Sequence, residues 1–206
     1  MDTTTHPELL IATRNAGKIR ELTELLSNLP LRLRHLSEFP RIEEVEETGE
    51  TFAANAELKA RLYSRQTNLW TLADDSGLEV DALGGAPGVF SARYGGAHAT
   101  DAERNARLLA ELSATKDAGR TARFTCTIAL YEPEAETAQI FAGTCEGRIS
   151  EHPRGHNGFG YDPLFVPTGY AHTFGELSDD LKQQISHRAR ALRAVRAYLS
   201  GLFSQP

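Results

Sequence analysis

Short apolar runs alternate with helically spaced apolar residues through the first third of the chain. The run Leu9–Ala12 predicts a first strand over about 8–13. Apolar residues then recur every three or four positions, as on one face of a helix, at Ile19, Leu22, Leu25, Leu26 and Leu29. A stretch at 31–36 and a helical pattern at about 51–65 predict a second strand and a second helix. The order strand, helix, strand, helix indicates an α/β protein.

A mostly apolar run from Leu69 ends in two adjacent carboxylates, Asp74 and Asp75. Such a run predicts a buried strand, and open α/β sheets bind ligands at the carboxyl ends of their strands. Two neighbouring carboxylates repel each other, and a hard divalent cation relieves that repulsion. We expect Ser76 and Gly77 to turn the chain tightly after the strand, and a solvated turn without any ligand is the alternative.

The second half of the chain contains further strand patterns. Alternation over 78–83 predicts a half-buried strand. Two runs at 123–131 and 137–149 predict an antiparallel hairpin, which would make the sheet mixed. A short apolar run at 164–166 predicts one more strand.

Capping residues predict where three helices begin in the same half of the chain. Thr100, with Glu103 three positions later, forms a capping box. Ser178 and Ser186 are expected to cap the last two helices, because a serine hydroxyl accepts the unpaired N–H groups of a first turn.

Composition narrows the class of protein. The 206 residues fit one domain, 1–206, or two lobes that share a core, with an ordered part at about 8–202. No apolar run approaches the ~20 residues of a membrane span, and the first residues do not resemble a secretory signal. A net charge of −6 weighs against a nucleic-acid or membrane-surface partner. Cys126 and Cys145 match no zinc or redox spacing, so we expect core thiols in a cytoplasmic protein, with a disulfide as the alternative.

The loop after the first strand has the features of an anion site. It contains six residues, namely Thr13, Arg14, Asn15, Ala16, Gly17 and Lys18. Its N–H groups and the following helix N-terminus favour an anion, and the lysine adds a full charge. The spacing is not that of a Walker loop, and an ordinary strand–helix connection with a solvated lysine is the alternative.

Further polar candidates lie between this loop and the central carboxylates. The acidic stretch 43–50 has five glutamates in eight residues, which usually means a solvated face, although one of them could point inward as a metal ligand. Asn55 and Lys59 are four residues apart and therefore share one helix face. They either face a ligand or lie on the surface.

A glycine-rich segment in the last third suits a flat heterocycle. Phe159 or Tyr161, on either side of Gly160, could stack on a ring, and Asp162 could accept a hydrogen bond from a ring N–H. A tight turn with core aromatics is the alternative.

Two cations occupy the first turn of the last predicted helix. His187 and Arg188 lie where the helix dipole disfavours positive charge. An anionic ligand at the helix start would explain them, and a surface His-Arg pair is the alternative.

Taken in order, these motifs resemble one family over about Leu9 to Leu199. The segments that carry the resemblance include Thr13-Arg14-Asn15-Ala16-Gly17-Lys18, Glu46-Glu47-Thr48-Gly49, Ala73-Asp74-Asp75-Ser76-Gly77, Phe159-Gly160-Tyr161-Asp162 and Ser186-His187-Arg188. The chain is similar to the noncanonical purine NTP pyrophosphatases, the inosine triphosphatases. The resemblance implies an elongated mixed β-sheet flanked by helices, with two lobes and a central active-site cleft. It also implies a cytoplasmic homodimer that uses Mg²⁺ to hydrolyse ITP, dITP and XTP to the monophosphate and pyrophosphate.

The resemblance also assigns roles to individual residues. Asp75 matches the general base and a metal ligand, and Glu46 matches the second metal ligand, with Glu47 as the alternative. The matched substrate-binding residues are Thr13, Arg14, Asn15, Ala16, Gly17, Lys18, Asn55, Lys59, Ser76, Phe159, Gly160, Tyr161, Asp162, Lys182, His187 and Arg188. Arg14 departs from the family pattern, which has glycine there.

Three other functions compete with this one. The first is the sister family of septum-inhibition-type nucleotide pyrophosphatases, which favour pyrimidine or modified nucleotides. The second is a nucleotide sensor that binds without hydrolysis. The third, a nucleic-acid-binding module, is disfavoured by the acidic balance.

Overall fold

A computed structural model describes residues 7–96, 98–115 and 119–203 of the chain. The first six residues, where the sequence shows no secretory pattern, lie outside the described part. These described residues contain six strands: β1 Glu8–Ile11, β2 Arg32–His35, β3 Trp70–Val80, β4 Thr121–Glu132, β5 Thr137–Ile149 and β6 Phe165–Pro167. The same part of the chain contains five α-helices: α1 Ala16–Leu26, α2 Phe52–Thr67, α3 Asp101–Ala114, α4 Asp179–Ile185 and α5 His187–Phe203.

The strands form one sheet in the order β2-β1-β3-β4-β5-β6. Strand β1 runs parallel to both β2 and β3, whereas β6 runs antiparallel to β5. The prediction of a mixed α/β sheet with helices is therefore confirmed. The predicted hairpin strands are also present, and they are neighbours in the sheet.

The helix starts follow the predicted capping chemistry. Thr100 and Glu103 form the expected capping box of α3. Ser178 accepts the Leu181 N–H at 3.3 Å, and Ser186 accepts the Ala189 N–H at 3.2 Å. Local side-chain bonds of this kind depend only on neighbouring residues, which is why the sequence predicts them well.

The prediction that the central strand ends at the two carboxylates is wrong. Strand β3 runs from Trp70 to Val80 without interruption, so Asp74, Asp75 and Ser76 lie inside it. Gly77, expected in a turn, is extended with the rest. A strand follows its neighbours in the sheet, and that tertiary pairing overrides the local turn preference of Asp, Ser and Gly. A 3-10 helix, Asp81–Leu83, takes over where the predicted strand over 78–83 was expected to continue.

The chain divides into two compact units. The first contains residues 1–75, 127–142 and 191–206, and the second contains 76–126 and 143–190. The first unit buries a cluster that includes Leu10, Ala56 and Tyr63. The second unit buries an aromatic cluster around Phe165, in which the Phe124 and Phe165 ring centroids are 4.6 Å apart.

Both cysteines lie in the second unit as buried thiols outside any disulfide. Cys126 and Cys145 are thus core residues, as expected, and the disulfide alternative is excluded. None of the helices in the described part of the chain is long and apolar enough to cross a bilayer.

Candidate active site

Two buried carboxylates in β3 mark the point where β1 ends. The last paired residue of β1, Ile11, lies opposite Leu72, and Asp74 and Asp75 follow on β3. Successive side chains of a strand point to opposite faces. Consistent with this, Asp74 meets Lys18 of α1, whereas Asp75 meets side chains of α2.

The loop from β1 to α1 brings its lysine to this pair. Lys18 Nζ lies 3.0 Å from Asp74 Oδ2, and Asp74 is fully buried. Asn15 caps the helix, since its side-chain oxygen accepts the Lys18 N–H at 3.0 Å. The Thr13 hydroxyl in turn accepts the Asn15 N–H at 3.2 Å.

The rest of the loop is open to solvent. Arg14, Asn15 and Ala16 are exposed, and Gly17 is half-buried. Local hydrogen bonds therefore hold the loop at the N-terminus of α1. Lys18, in the first turn of this helix, supplies the positive charge.

Lys59 of α2 lies among three acidic residues. Its Nζ donates to the Asp74 carbonyl oxygen at 2.6 Å and to the Glu47 carboxylate, and it lies 3.9 Å from Asp75 Oδ1. Burial alone would lower the pKa of Lys59, but attraction to Asp75, Glu47 and Asp74 outweighs it and raises that pKa. Lys59 therefore stays charged and compensates the carboxylates around it.

The side chain of Asn55 is directed at Asp75, so the surface alternative is wrong for this residue. It is fully buried, and its Nδ2 donates to Asp75 Oδ2 at 3.1 Å. Its Oδ1 accepts the Gly49 N–H at 2.7 Å, and the Gly49 backbone lies so close that a Cβ there would be 2.7 Å from this oxygen. Asn55 thus ties the acidic loop to Asp75 instead of presenting an amide outward.

The two candidate glutamates of the acidic loop differ in orientation. Glu46 is exposed, whereas the neighbouring Glu47 is half-buried and bonded to Lys59. Glu47 repels the Asp75 carboxylate electrostatically. The structure thus brings Glu47, the alternative ligand proposed from the sequence, to the central carboxylates.

The pKa of Asp75 is raised above its ordinary value. Burial is the main cause, because it disfavours the charged form, and repulsion from Glu47 adds to it. Lys59, Lys18 and the Asn55 hydrogen bond act in the opposite direction and limit the rise. A carboxylate with a raised pKa is a better proton acceptor than an ordinary one.

The donor set fits a magnesium ion that arrives with a phosphate ligand. Within residues 7–96, 98–115 and 119–203, no three His, Cys, Asp or Glu side chains are grouped so as to hold a metal unaided. Mg²⁺ is usually bound by one or two carboxylates together with waters and substrate phosphates. Asp75 and Glu47, which share Lys59, present such a pair.

In the second unit, the segment Gly158–Asp162 folds around its own carboxylate. Asp162 is buried, and its Oδ2 accepts the Phe159 N–H at 2.7 Å and a bond from Lys182 Nζ at 2.6 Å. Gly158, at φ +73°, has to be glycine, since a Cβ there would lie 2.0 Å from Asp162 Oδ2. Lys182 Nζ also lies 4.8 Å from the Phe159 ring centroid. The segment holds an aromatic face beside a buried cation.

The start of α5 adds two buried basic residues to the second unit, an arginine and a histidine. Arg188 donates to Ser76 Oγ at 2.9 Å, and its guanidinium carbon lies 5.7 Å from the Phe159 ring centroid. His187 stacks on Phe124, with centroids 4.7 Å apart and planes 13° apart. Both residues are nearly fully buried, so the surface-pair alternative is wrong.

Of the two aromatics proposed to stack on a base, only Phe159 is placed for it. Tyr161 belongs to the buried cluster of the second unit, and its hydroxyl donates to the Ser91 carbonyl at 3.0 Å. Core packing therefore explains the position of Tyr161, in agreement with the alternative that the aromatics of this segment belong to the core.

Sequence reasoning missed the residues that support these groups. Phe124, which stacks on His187, belongs to no motif. Ser91, whose carbonyl accepts the Tyr161 hydroxyl, lies in the segment Phe90-Ser91-Ala92-Arg93-Tyr94, which also resembles the family, but the sequence assigned it no role. Asp101 and Asn105 of α3, which contact Gly160, were considered only as parts of a helix. Helical spacing alone would have placed these two, four residues apart, on one face.

Comparison with known proteins finds relatives that are similar over nearly the whole chain. A dITP/XTP pyrophosphatase of Bacillus anthracis is 50% identical over 189 residues, covering 91% of this chain and 94% of the relative. A Coxiella burnetii protein with the same name is 46% identical over 197 residues, covering 95% and 98%. The solved structure of a HAM1 protein from Coxiella burnetii has a TM-score of 0.89 at 45% identity, covering 95% of this chain and 99% of that one. The Staphylococcus aureus Ham1 protein has a TM-score of 0.84 at 40% identity, with coverage of 95% and 99%.

A family model agrees with these pairwise similarities. The Ham1 family model matches residues 9–198, nearly the whole length of the sequence. The resemblance found in the motifs is confirmed, and the chain belongs to the Ham1 family.

Proposed function

We propose that this protein hydrolyses deaminated purine nucleoside triphosphates, namely ITP, dITP, XTP and their deoxy forms, to the monophosphate and pyrophosphate. The observation that carries the proposal is the environment of Asp75, a buried carboxylate with a raised pKa, held by Asn55 and Lys59 beside Glu47. The names of the relatives, dITP/XTP pyrophosphatase, support the same reaction. Removal of such nucleotides keeps deaminated bases out of DNA and RNA.

The triphosphate is assigned to the loop Thr13–Lys18 and to Lys59. The exposed residues Arg14, Asn15 and Ala16 leave the loop accessible, and the helix N-terminus behind them favours an anion. Lys18 and Lys59 supply the full positive charges. Arg14 adds a further cation at the place where the family pattern has glycine.

Asp75 and a glutamate of the acidic loop are assigned to magnesium. When bound, the ion neutralises phosphate charge and lowers the pKa of a coordinated water. The resemblance favoured Glu46 as the second ligand, and the orientation of Glu47 toward Lys59 favours Glu47 instead. Glutamine at each position in turn separates the two, since the true ligand should be the one whose loss raises the Mg²⁺ concentration needed for half-maximal rate.

Asp75 orients the attacking water and accepts its proton. An ordinary aspartate, with a pKa near 3.9, is a weak base for water. Burial of Asp75 raises its pKa and improves that match. Asn55 holds Oδ2, so the direction of the carboxylate is set before substrate arrives.

The base is assigned to residues of the second unit. Phe159 supplies a face for stacking, with Lys182 and Arg188 as cationic neighbours. A 6-oxo purine offers an acceptor at O6 and a donor at N1, whereas adenine reverses both. Donors such as Lys182 and Arg188 therefore favour the 6-oxo base, because adenine would leave buried polar groups unpaired. Arg188 also donates to Ser76, the residue that follows Asp75 in the chain.

The test is pyrophosphate release from ITP, XTP, dITP, GTP, ATP, UTP and CTP, with magnesium and with EDTA. Fast magnesium-dependent release from ITP, dITP and XTP supports the proposal. Release mainly from UTP and CTP would assign the protein to the sister family of septum-inhibition-type enzymes. Tight ITP binding without hydrolysis would make it a sensor.

The resemblance supports a cytoplasmic homodimer. Light scattering coupled to gel filtration measures the mass in solution, and twice the 22.6 kDa of the chain is expected. A monomer with full activity would overturn the dimer.

A further inference from the structure

Helix α3 holds one residue, Gly160, of the segment that carries Phe159, through two hydrogen bonds that we call the grip. Asp101 Oδ2 accepts the Gly160 N–H at 2.7 Å. One turn later, Asn105 Nδ2 donates to the Gly160 carbonyl oxygen at 3.1 Å. The same glycine therefore has both its polar backbone atoms bonded to side chains of one helix.

This grip fixes the backbone at a point where it is otherwise free to adopt other conformations. Gly160 has φ +64°, and no atom lies within 4 Å of the position a Cβ would take. Packing therefore leaves room around it, so the two hydrogen bonds set its orientation. If the Gly160 carbonyl turned away, Asn105 would lose its acceptor, and if the N–H turned, Asp101 would lose its donor.

The gripped residue lies next to Phe159 and close to Asp162. On its other side the segment is closed by Asp162, which accepts the Phe159 N–H. The orientation of the Phe159 ring thus depends on two sets of contacts. One is Asp162, which is bonded to Lys182, and the other is the pair Asp101 and Asn105 on α3, which holds Gly160. Both sets lie far from Asp75 in the sequence, and Asn105 is itself buried.

We infer that Asp101 and Asn105 are positioning residues that set base selectivity by fixing the backbone at Gly160. The inference rests on the proposed function and deepens it, because it names residues that act through Phe159 and Asp162 without touching the nucleotide. An acceptor and a donor on one rigid helix fix the two peptide groups on either side of Gly160, and so restrict its φ and ψ more than either bond alone.

Two variants remove the grip and one retains it. Asn105→Asp keeps the size of the side chain but turns the donor into an acceptor facing the Gly160 carbonyl oxygen. Asp101→Ala removes the acceptor at the start of the helix, where the side chain is half-exposed. Asp101→Asn is the matched control: it keeps an oxygen for the Gly160 N–H and loses only the ion pair with Arg104.

The readout is kcat and KM for ITP and for ATP, together with Tm. For Asn105→Asp and Asp101→Ala we expect the ITP-to-ATP ratio of kcat/KM to fall by about tenfold or more, through a higher KM for ITP, with kcat within about threefold of wild type. For Asp101→Asn we expect the ratio to stay within about threefold of wild type.

Failure of the inference and failure of the proposed function look different. If wild type releases pyrophosphate selectively from ITP and both grip variants keep the wild-type ratio, even with a lower Tm, the pair has only a structural role and the inference is overturned. If wild type does not hydrolyse ITP, the proposed function is overturned and the inference with it. Should Asn105→Asp fail to fold, the Asp101→Ala and Asp101→Asn pair decides alone.

Discussion

Each unit of the protein buries an aspartate beside a lysine, and the two pairs are built differently. In the first unit, Lys59 Nζ lies 3.9 Å from Asp75 Oδ1 and is shared with other acidic groups. In the second unit, Lys182 Nζ lies 2.6 Å from Asp162 Oδ2, which also accepts a backbone N–H. The same two residue types therefore make a loose pair in one place and a tight pair in the other.

The charge around the two pairs differs in sign. Around Asp75, three carboxylates (Glu47, Asp74 and Asp75) face two lysines, Lys18 and Lys59. Such an excess of negative charge is what a divalent cation relieves. Around Asp162, one carboxylate faces Lys182, and Arg188 shares the Phe159 ring with that lysine. An excess of positive charge suits the electron-rich oxygen of a 6-oxo base.

The comparison teaches that the partners of a buried aspartate indicate its task better than burial does. Asp75 is only partly compensated, so its pKa rises and it can take a proton or a metal. Asp162 is bonded on one oxygen to both a lysine and the backbone, so it holds a segment in shape. Four predictions test this difference.

The largest expected effect separates the two aspartates. Asp75→Asn should lower kcat for ITP by about 10³-fold or more, since it removes the proton acceptor and a metal ligand, while the fold is retained. Asp162→Asn should leave kcat within about tenfold and act mainly on KM. Steady-state pyrophosphate release and circular dichroism measure both. Equal losses of kcat in the two variants would break the comparison.

Lys59 and Lys182 should affect different properties of the enzyme, namely its pH dependence and its base preference. Lys59→Met removes a cation that lowers the pKa of Asp75, so that pKa rises further and the acid limb of the kcat/KM profile moves to higher pH. Lys182→Met should leave the position of that limb unchanged and reduce the preference for ITP over ATP by about tenfold. The pH profiles of both variants with ITP are the measurement. A limb that moves in Lys182→Met but not in Lys59→Met would contradict the assignment.

Two glycines test how rigid the second pair is. Gly160→Ala should cost about 1 kcal/mol, because it places a side chain in the left-handed region where space is open. Gly158→Ala should cost more, because its Cβ would also displace the Asp162 carboxylate that Lys182 holds. Urea unfolding of the two variants gives the difference. Equal losses would mean that Asp162 moves easily and is not held by its partners.

The smallest effect is a pH dependence of stability without metal. Because the pKa of Asp75 is raised in the folded state, folded protein holds a proton that the unfolded chain has already released. Stability should therefore fall as pH rises from the ordinary Asp pKa through the raised one, and the loss should persist above it. Asp75→Asn lacks this group. As pH rises, the Tm of the variant minus the Tm of wild type should therefore increase by a few degrees, because 1 kcal/mol corresponds to about 2–4 °C for a chain of this size. A Tm difference that is constant from acid to neutral pH would contradict the raised pKa.

The sequence by itself determined the elements whose signals are local. The capping box at Thr100 and the caps at Ser178 and Ser186 depend on residues three positions apart. The order of motifs also determined the family, because Asp75, Lys18 and the Phe159 segment are recognised without coordinates. Helical spacing correctly placed Asn55 and Lys59 on one face, since both reach Asp75.

Only the tertiary structure decided which of several equivalent residues face inward. Glu46 and Glu47 are chemically alike, and the fold of the acidic loop over α2 brings Glu47 to Lys59. Tyr161 and Phe159 are both aromatic, and the core of the second unit takes Tyr161. The continuity of β3 through Asp75 likewise depends on the sheet around it.

The contacts that align the site join residues far apart in the chain. Asp101 and Asn105 meet Gly160 across 59 and 55 residues, and Arg188 meets Ser76 across 112. Such pairs leave no periodic signal in the sequence, because hydrophobic spacing records only which face of an element is buried. Which polar group meets which is settled when the elements pack, and there the burial of Asp75 and its raised pKa arise as well.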